Sequence, residues 1–152
     1  MPNHWLMKSE PEAYSIDDLK RDKKTAWTGV RNYVARNHMR SMAVGDLVLF
    51  YHSNADPSGV AGVAKVVRTA YPDPTQFDPK DSHFEPKATP EKPYWYLVDV
   101  GFVKKLKRFV SLEELKEAEE LSGMLLTSGK AARLSVQPVD KGHFDAVVKM
   151  GG

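Results

Sequence analysis

Between Lys20 and Arg40 the chain carries seven basic residues, Lys20, Arg21, Lys23, Lys24, Arg31, Arg36 and Arg40, against one acid, Asp22. That is a local formal charge of +6 inside a 152-residue chain of +2. Set among these cations are Trp27, Asn32, Tyr33 and Asn37. Aromatic faces stack on bases, amides read base edges and cations hold phosphates, so the segment has the composition of a nucleic-acid contact. A solvated basic helix face beside a core tryptophan has the same composition, and composition alone does not choose between them. A second group, Phe50-Tyr51-His52-Ser53-Asn54, passes from apolar to polar within a few residues. That order suits the mouth of a pocket, and equally a strand running into a turn.

Other chemistries find less support. The histidines, His4, His38, His52, His83 and His143, share neither the i, i+4 helical spacing nor the tight strand spacing of a chelating pair, so no metal site is expected. The absence of cysteine removes thiolate metal sites, disulfides and cysteine nucleophiles. Ser53 beside His52 is a poor nucleophile–base pair, because adjacent residues of a strand point to opposite faces. Gly59 to Gly62 lacks the lysine and following helix of a phosphate loop, and no cofactor is expected. Two alternatives stay open: a small hydrolase or nucleotide-processing enzyme using His52 as general acid/base with Asp46 or Asp99, and an adaptor using the proline-rich stretch 71–93.

The elements that must carry these groups follow from periodicity. Residues 4–8 read as a buried strand, and Ser15 with Asp18 as a capping box that opens a short helix through Lys20. Over 31–42, helical spacing puts Ala35, His38, Met39 and Met42 on one face and Tyr33, Arg36, Asn37 and Arg40 on the other. Strands are predicted at Leu47–Tyr51 and Val60–Arg68, the latter with small residues that admit close approach. Six of the ten prolines fall in 71–93, a long irregular connection. Strand character returns at Tyr94–Leu106, apolar at odd and even positions. A capping box at Ser111–Glu114 opens a helix that uses Leu112, Leu115, Ala118 and Leu121 and stops at Gly123. A short strand at Arg133–Val136 and a last helix around Phe144, Val147 and Val148 complete the reading.

The apolar fraction of 41% and charged fraction of 28% are those of a globular domain, and 1–152 reads as one. No stretch has the signal-peptide pattern or the ~20 apolar residues of a membrane span, so a cytoplasmic protein, nuclear if eukaryotic, is expected, with no membrane partner. A monomer is expected. The pattern is that of an α+β domain around a small, curled or closed sheet.

Four segments together resemble a known family: Trp5–Pro11 (WLMKSEP), Trp27–Asn37 (WTGVRNYVARN), Gly45-Asp46 with Phe50–Asn54 (FYHSN), and Arg133–Pro138 (RLSVQP). They occur in the order of the EVE domain, a branch of the PUA-like fold. The resemblance implies a PUA-like curved or barrel-like β-sheet flanked by short helices, and a non-catalytic module that binds DNA or RNA carrying a modified base, modified cytosine above all, in an aromatic-walled pocket. Carried onto this chain, the base site comprises Lys8, Ser9, Trp27, Asn32, Tyr33, Asn37, His52, Ser53, Asn54, Ser135 and Gln137. Arg31, Arg36 and Arg40 would hold phosphates, although Arg31 is equally readable as a structural anchor at the helix start.

Overall fold

The computed structural model describes residues 3–127 and 133–152. Among these, the elements run β1 (His4–Ser9), α1 (Ile16–Asp22), β2 (Lys24–Ala26), α2 (Tyr33–Ser41), β3 (Leu47–His52), β4 (Gly59–Pro72), β5 (Tyr96–Ser111), α3 (Leu112–Glu117), β6 (Val136–Val139) and α4 (Lys141–Met150). The strands form one mixed sheet in the order β2-β5-β4-β3-β1-β6. β1 and β3 are parallel and every other neighbouring pair is antiparallel. The α+β expectation holds. Closure of the sheet does not, since β2 and β6 lie at opposite edges. Register shifts along β4–β5 mark bulges, and an extra residue on one strand bends the ribbon.

Strand alternation supplies two cores. Trp5 and Met7 of β1 join one and Leu6 the other, while Val48 and Phe50 of β3 oppose Leu49 and Tyr51. Ile16 and Leu19 of α1 with Ala35 and Met39 of α2 cover the first core, and Leu115 of α3 with Phe144 and Val147 of α4 cover the second. With helices on both faces, the central strands need apolar residues at odd and even positions alike. Both capping boxes form, Ser15 with Asp18 and Ser111 with Glu114.

Two local expectations are corrected and one strand is added. The last strand runs Val136–Val139 and not Arg133–Val136, because β6 is an edge strand and so accommodates Pro138. The helix after Ser111 ends at Glu117, and a 3-10 turn follows at Glu119–Leu121. Leucines every three residues drift by about 60° per step around a straight helix, so an unbroken one would point Leu112 and Leu121 in opposite directions. The break lets both Leu115 and Leu121 reach the second core. Finally, β2 has too few residues and too much charge to stand out in the sequence, and it exists because β5 offers it a ladder.

Gly62 shows how tightly α1 sits on the sheet. A Cβ there would stand 2.6 Å from Ile16 Cδ1 and 2.6 Å from the Lys104 carbonyl oxygen. Backbone cannot yield as a side chain can, so Gly62→Ala should destabilise the fold by about 1–3 kcal/mol. A urea midpoint equal to that of the parent protein would show that the sheet relaxes freely at this point.

Candidate nucleic-acid interface

The ends of β1 and β2 border a cleft of about 370 Å³ lined by Lys8, Ser9, Tyr14, Thr25, Trp27 and Thr28, with His83 and two alanines completing it. Local structure explains the placement. The Trp27 amide donates to the Val98 carbonyl at 2.9 Å, which continues β2 by one residue and turns the indole inward. There it meets Phe50 edge-on, 5.5 Å between centroids at 85°, and is 8% exposed. Ser9 Oγ donates to the Tyr14 carbonyl at 2.6 Å, and the Tyr14 hydroxyl donates to Asp22 at 2.9 Å. The Lys8 ammonium lies 5.5 Å from the centre of the Tyr51 ring, and burial pushes its pKa down. An apolar floor with hydroxyls and an amine at the rim is what a planar heterocycle with polar edges requires.

A larger cleft of about 560 Å³ lies between the β3–β4 turn and the start of α3, but Asp56, Glu113 and Glu114 line it. Those carboxylates disfavour a polyanion, so the Trp27 cleft is the better candidate.

Of the residues expected at a base site, Lys8, Ser9 and Trp27 come together in this cleft. Others stand behind it. Ser53 donates its amide to the Ser9 carbonyl at 2.9 Å, and the Ser135 carbonyl accepts from the Lys8 amide at 2.9 Å, so both neighbours of β1 fix its end. Asn54, in the left-handed region at φ 49°, donates its side-chain amide to Glu10. Gln137 is buried and donates to the Leu134 carbonyl at 2.8 Å.

The α2 residues lie outside the cleft. Asn32 is the N-cap, its Oδ1 accepting from the Ala35 amide at 3.0 Å. Tyr33 stacks on Trp95 at 4.8 Å, Arg36 lies 4.7 Å over Tyr33, and Arg40 lies 4.5 Å over Tyr96. Arg36 also donates to the Tyr94 carbonyl at 2.9 Å and to Asn37 Oδ1. The outer face of α2 is therefore a ladder of cations and rings. Arg31 is held more fully: against the three intrachain hydrogen bonds of Arg36 it donates five, to the carbonyls of His83 and Val30, to the buried Asp73 carboxylate and to Thr75. This engages a donor set of five, the arrangement of an anchor. Burial of Asp73 opposes its ionisation, but hydrogen bonds from Thr75, Gly29 and Arg31 outweigh that and hold its pKa below the ordinary carboxylate range.

The pairs considered for acid–base chemistry are not assembled. Asp46 precedes β3 and His52 ends it, about 20 Å apart along an extended strand. Asp46 accepts from the amides of Asn3 and Ala43, each at 3.0 Å, and from Trp5 Nε1 at 2.9 Å. Asp99 accepts from the Tyr71 hydroxyl at 2.5 Å, and burial together with this carboxylate pushes the Tyr71 pKa up to about 12. His52 Nε2 accepts from the Ile16 amide at 3.1 Å, between the rings of Phe50 and Phe109. Among the described residues no group of three His, Asp or Glu side chains is placed to hold a metal ion.

The His52 arrangement predicts a pH dependence. Burial lowers its pKa, with Lys105 acting in the same direction and Asp17 opposing. The unfolded chain, with an ordinary histidine pKa of about 6.5, then binds the proton more readily than the folded one. The contribution to stability is complete above that value and is lost as pH falls through it towards the lower folded pKa. His38, also lowered by burial, adds the same sign. Urea midpoints at about pH 7.5 and about pH 5.5 should fall with acid in the parent protein and fall less in His52→Gln, which keeps an acceptor for Ile16 without titrating. Equal losses in the two proteins would remove His52 from the effect.

The sequence reading passed over Tyr14, Thr25, Thr28 and His83. Tyr14 and Thr28 lie in short connections, and Thr25 in β2, a three-residue strand too short to show periodicity. His83 is separated from Trp27 by α2, β3, β4 and part of a proline-rich loop, so nothing local marks it.

The family model described as "EVE domain" matches residues 3–150. Thymocyte nuclear protein 1 of Homo sapiens is 43% identical over 169 aligned positions, which cover 99% of this chain and 74% of that protein. A hypothetical protein from Leishmania major superposes with a TM-score of 0.94 at 50% identity, over 99% of this chain and 95% of that one. A crystal structure of human THYN1 protein in complex with 5-methylcytosine-containing DNA superposes with a TM-score of 0.92 at 42% identity, over 98% and 97% of the two chains. No helix among the described residues is long and apolar enough to cross a membrane.

Proposed function

Because this chain belongs to the EVE domain family, over residues 3–150, we propose that it is a non-catalytic DNA-binding module that receives a modified base, 5-methylcytosine by the nearest chemistry, in the Trp27 cleft. The observation that carries the reading is the cleft itself, an aromatic floor with a rim of Lys8, Ser9 and hydroxyl groups, in a chain similar to a protein crystallised with 5-methylcytosine-containing DNA. We read 1–152 as a single domain and the cytoplasm, or the nucleus of a eukaryotic cell, as its compartment. A base leaves the duplex at a cost of a few kcal/mol, which stacking and edge hydrogen bonds offset. Lys8, Ser9 and Trp27 meet the base. His52, Ser53, Asn54, Ser135 and Gln137 support the β1 end and the floor, while the ladder of Tyr33, Arg36 and Arg40 faces the flanking backbone.

Titration with matched oligonucleotides tests this. The methylated strand should bind more tightly than the plain one by roughly tenfold, the worth of one methyl in a fitted apolar site. Arg36→Ala and Arg40→Ala should weaken binding to both strands alike and make the salt dependence shallower by about 0.7 to 0.9 log units per lost phosphate contact. Equal affinity for methylated and plain strands would exclude a modified-base site. Arginine variants that lose selectivity but keep their salt slope would move the reader to the α2 face.

A further inference from the structure

The cleft has one wall that comes from a segment without regular secondary structure. His83 lies between the Pro74–Phe77 turn and β5, yet it lines the cleft with Trp27. The connection that carries it is knitted together. Gln76, wholly buried, donates to the carbonyls of Asp73 and Trp95 at 2.8 and 2.7 Å and accepts from the amides of Tyr94 and Trp95, each at 2.9 Å. Its own carbonyl accepts from the Glu85 amide at 2.9 Å.

Arg31 grips the tip of this connection. Its Nε and Nη2 donate to the His83 carbonyl at 3.1 and 2.7 Å, its Nη1 to Asp73 at 3.1 Å, and its guanidinium lies 5.4 Å over the Trp95 ring. Two residues earlier, Gly29 has φ +86°, and a Cβ there would stand 3.0 Å from His83 Nε2. The absence of a side chain at Gly29 thus leaves the place in which the imidazole lies. His83 Nδ1 is 3.1 Å from Asp81 Oδ1, and the side chain is still 45% exposed. An exposed ring at a cleft, with Arg31 on its carbonyl and Asp81 at its ring nitrogen and the connection behind it anchored by the buried Gln76, is the arrangement of a preorganised contact, which loses little freedom on binding.

We propose that His83 is a base-contacting wall of the Trp27 cleft and that Arg31 positions it through the His83 carbonyl. The connection from Asp73 to Trp95 is then the mount for a recognition residue, and Arg31 acts on the ligand at one remove. This rests on the nucleic-acid reading above. An imidazole offers a flat face for stacking and a ring nitrogen for a base edge, and neither contact involves counterion release.

The test is a cycle of His83→Ala, Arg31→Lys and the double variant in the full chain, with a 5-methylcytosine-containing oligonucleotide as probe. Binding is read at two salt concentrations beside each variant's melting transition. Lysine keeps the charge of Arg31 but cannot make its forked contact. His83→Ala should weaken binding roughly tenfold with melting and salt slope unchanged, as loss of one stacking contact does. Arg31→Lys should weaken it similarly, and the double variant should bind no more weakly than Arg31→Lys alone, since neighbouring residues acting through one contact are not additive. If Arg31→Lys does not fold, Arg31→Gln, which also lacks the forked contact to the His83 carbonyl, replaces it in the cycle. Affinity of folded His83→Ala within about twofold of the parent, or a shallower salt slope, overturns the base contact. Losses that simply multiply overturn the positioning role of Arg31. A parent protein that binds no oligonucleotide overturns the nucleic-acid reading and this proposal with it, whereas a binding parent with a silent His83→Ala overturns the proposal alone.

Discussion

Replacing Asp46 with Ala should lower the unfolding free energy by about 3–5 kcal/mol, because a buried carboxylate loses three hydrogen bonds, each worth about 1.5–3 kcal/mol when the acceptor is charged. Asp46 is 2% exposed and accepts from the indole of Trp5 and the amides of Asn3 and Ala43. Without the carboxylate, the buried indole N–H of Trp5 is left without its partner, at a cost of about 1–3 kcal/mol, and the part-buried amides of Asn3 and Ala43 lose theirs. The same contacts join the start of β3 to β1 and to the turn after α2. Hydrogen exchange at Trp5 to Ser9 should therefore quicken along with the drop in urea midpoint. A loss below about 1 kcal/mol would mean that water replaces the carboxylate and that the parallel β1–β3 pair does not depend on it.

Trp27→Ala should remove about 3–5 kcal/mol of stability, the usual result of deleting a buried aromatic side chain. With 8% exposure and Phe50 against its edge, Trp27 belongs to the first core as well as to the cleft. The substitution therefore cannot by itself separate folding from recognition. Trp27→Phe separates them, because it retains an apolar ring in the core and offers the cleft a smaller face. If the indole is a wall for a base, Trp27→Phe should fold with a modest fall in melting temperature and bind the methylated strand more weakly by a part of the roughly 1–3 kcal/mol that one stacked base contributes. Undiminished affinity in a well-folded Trp27→Phe would reduce Trp27 to a packing residue.

Much of this architecture was legible in the chain. Where a residue's part is local, pattern and structure agree: capping boxes at Ser15 and Ser111, the α2 face of Ala35, Met39 and Met42, and the strand from Leu47. Those features depend on hydrogen bonds and side-chain directions within a few residues of one another. The resemblance added the type of fold and a set of site residues dispersed through the chain.

The geometry of the cleft was decided elsewhere. Lys8, Ser9 and Trp27 meet because β1 pairs with β3 while β2 pairs with β5, strands that are distant in sequence. Register between such strands depends on the packing of two cores at once, which no local pattern encodes. The same holds for Arg31, a cation whose sequence neighbours suggest a phosphate contact and whose tertiary neighbours, Asp73, Thr75 and the His83 carbonyl, make it an anchor. By itself the sequence determined which chemical groups were at hand and which short elements bear them. Only the tertiary structure decided which groups face one cavity, because hydrogen bonds and burial between residues far apart in the chain, His83 over Gly29 above all, exist only once the sheet has brought them together.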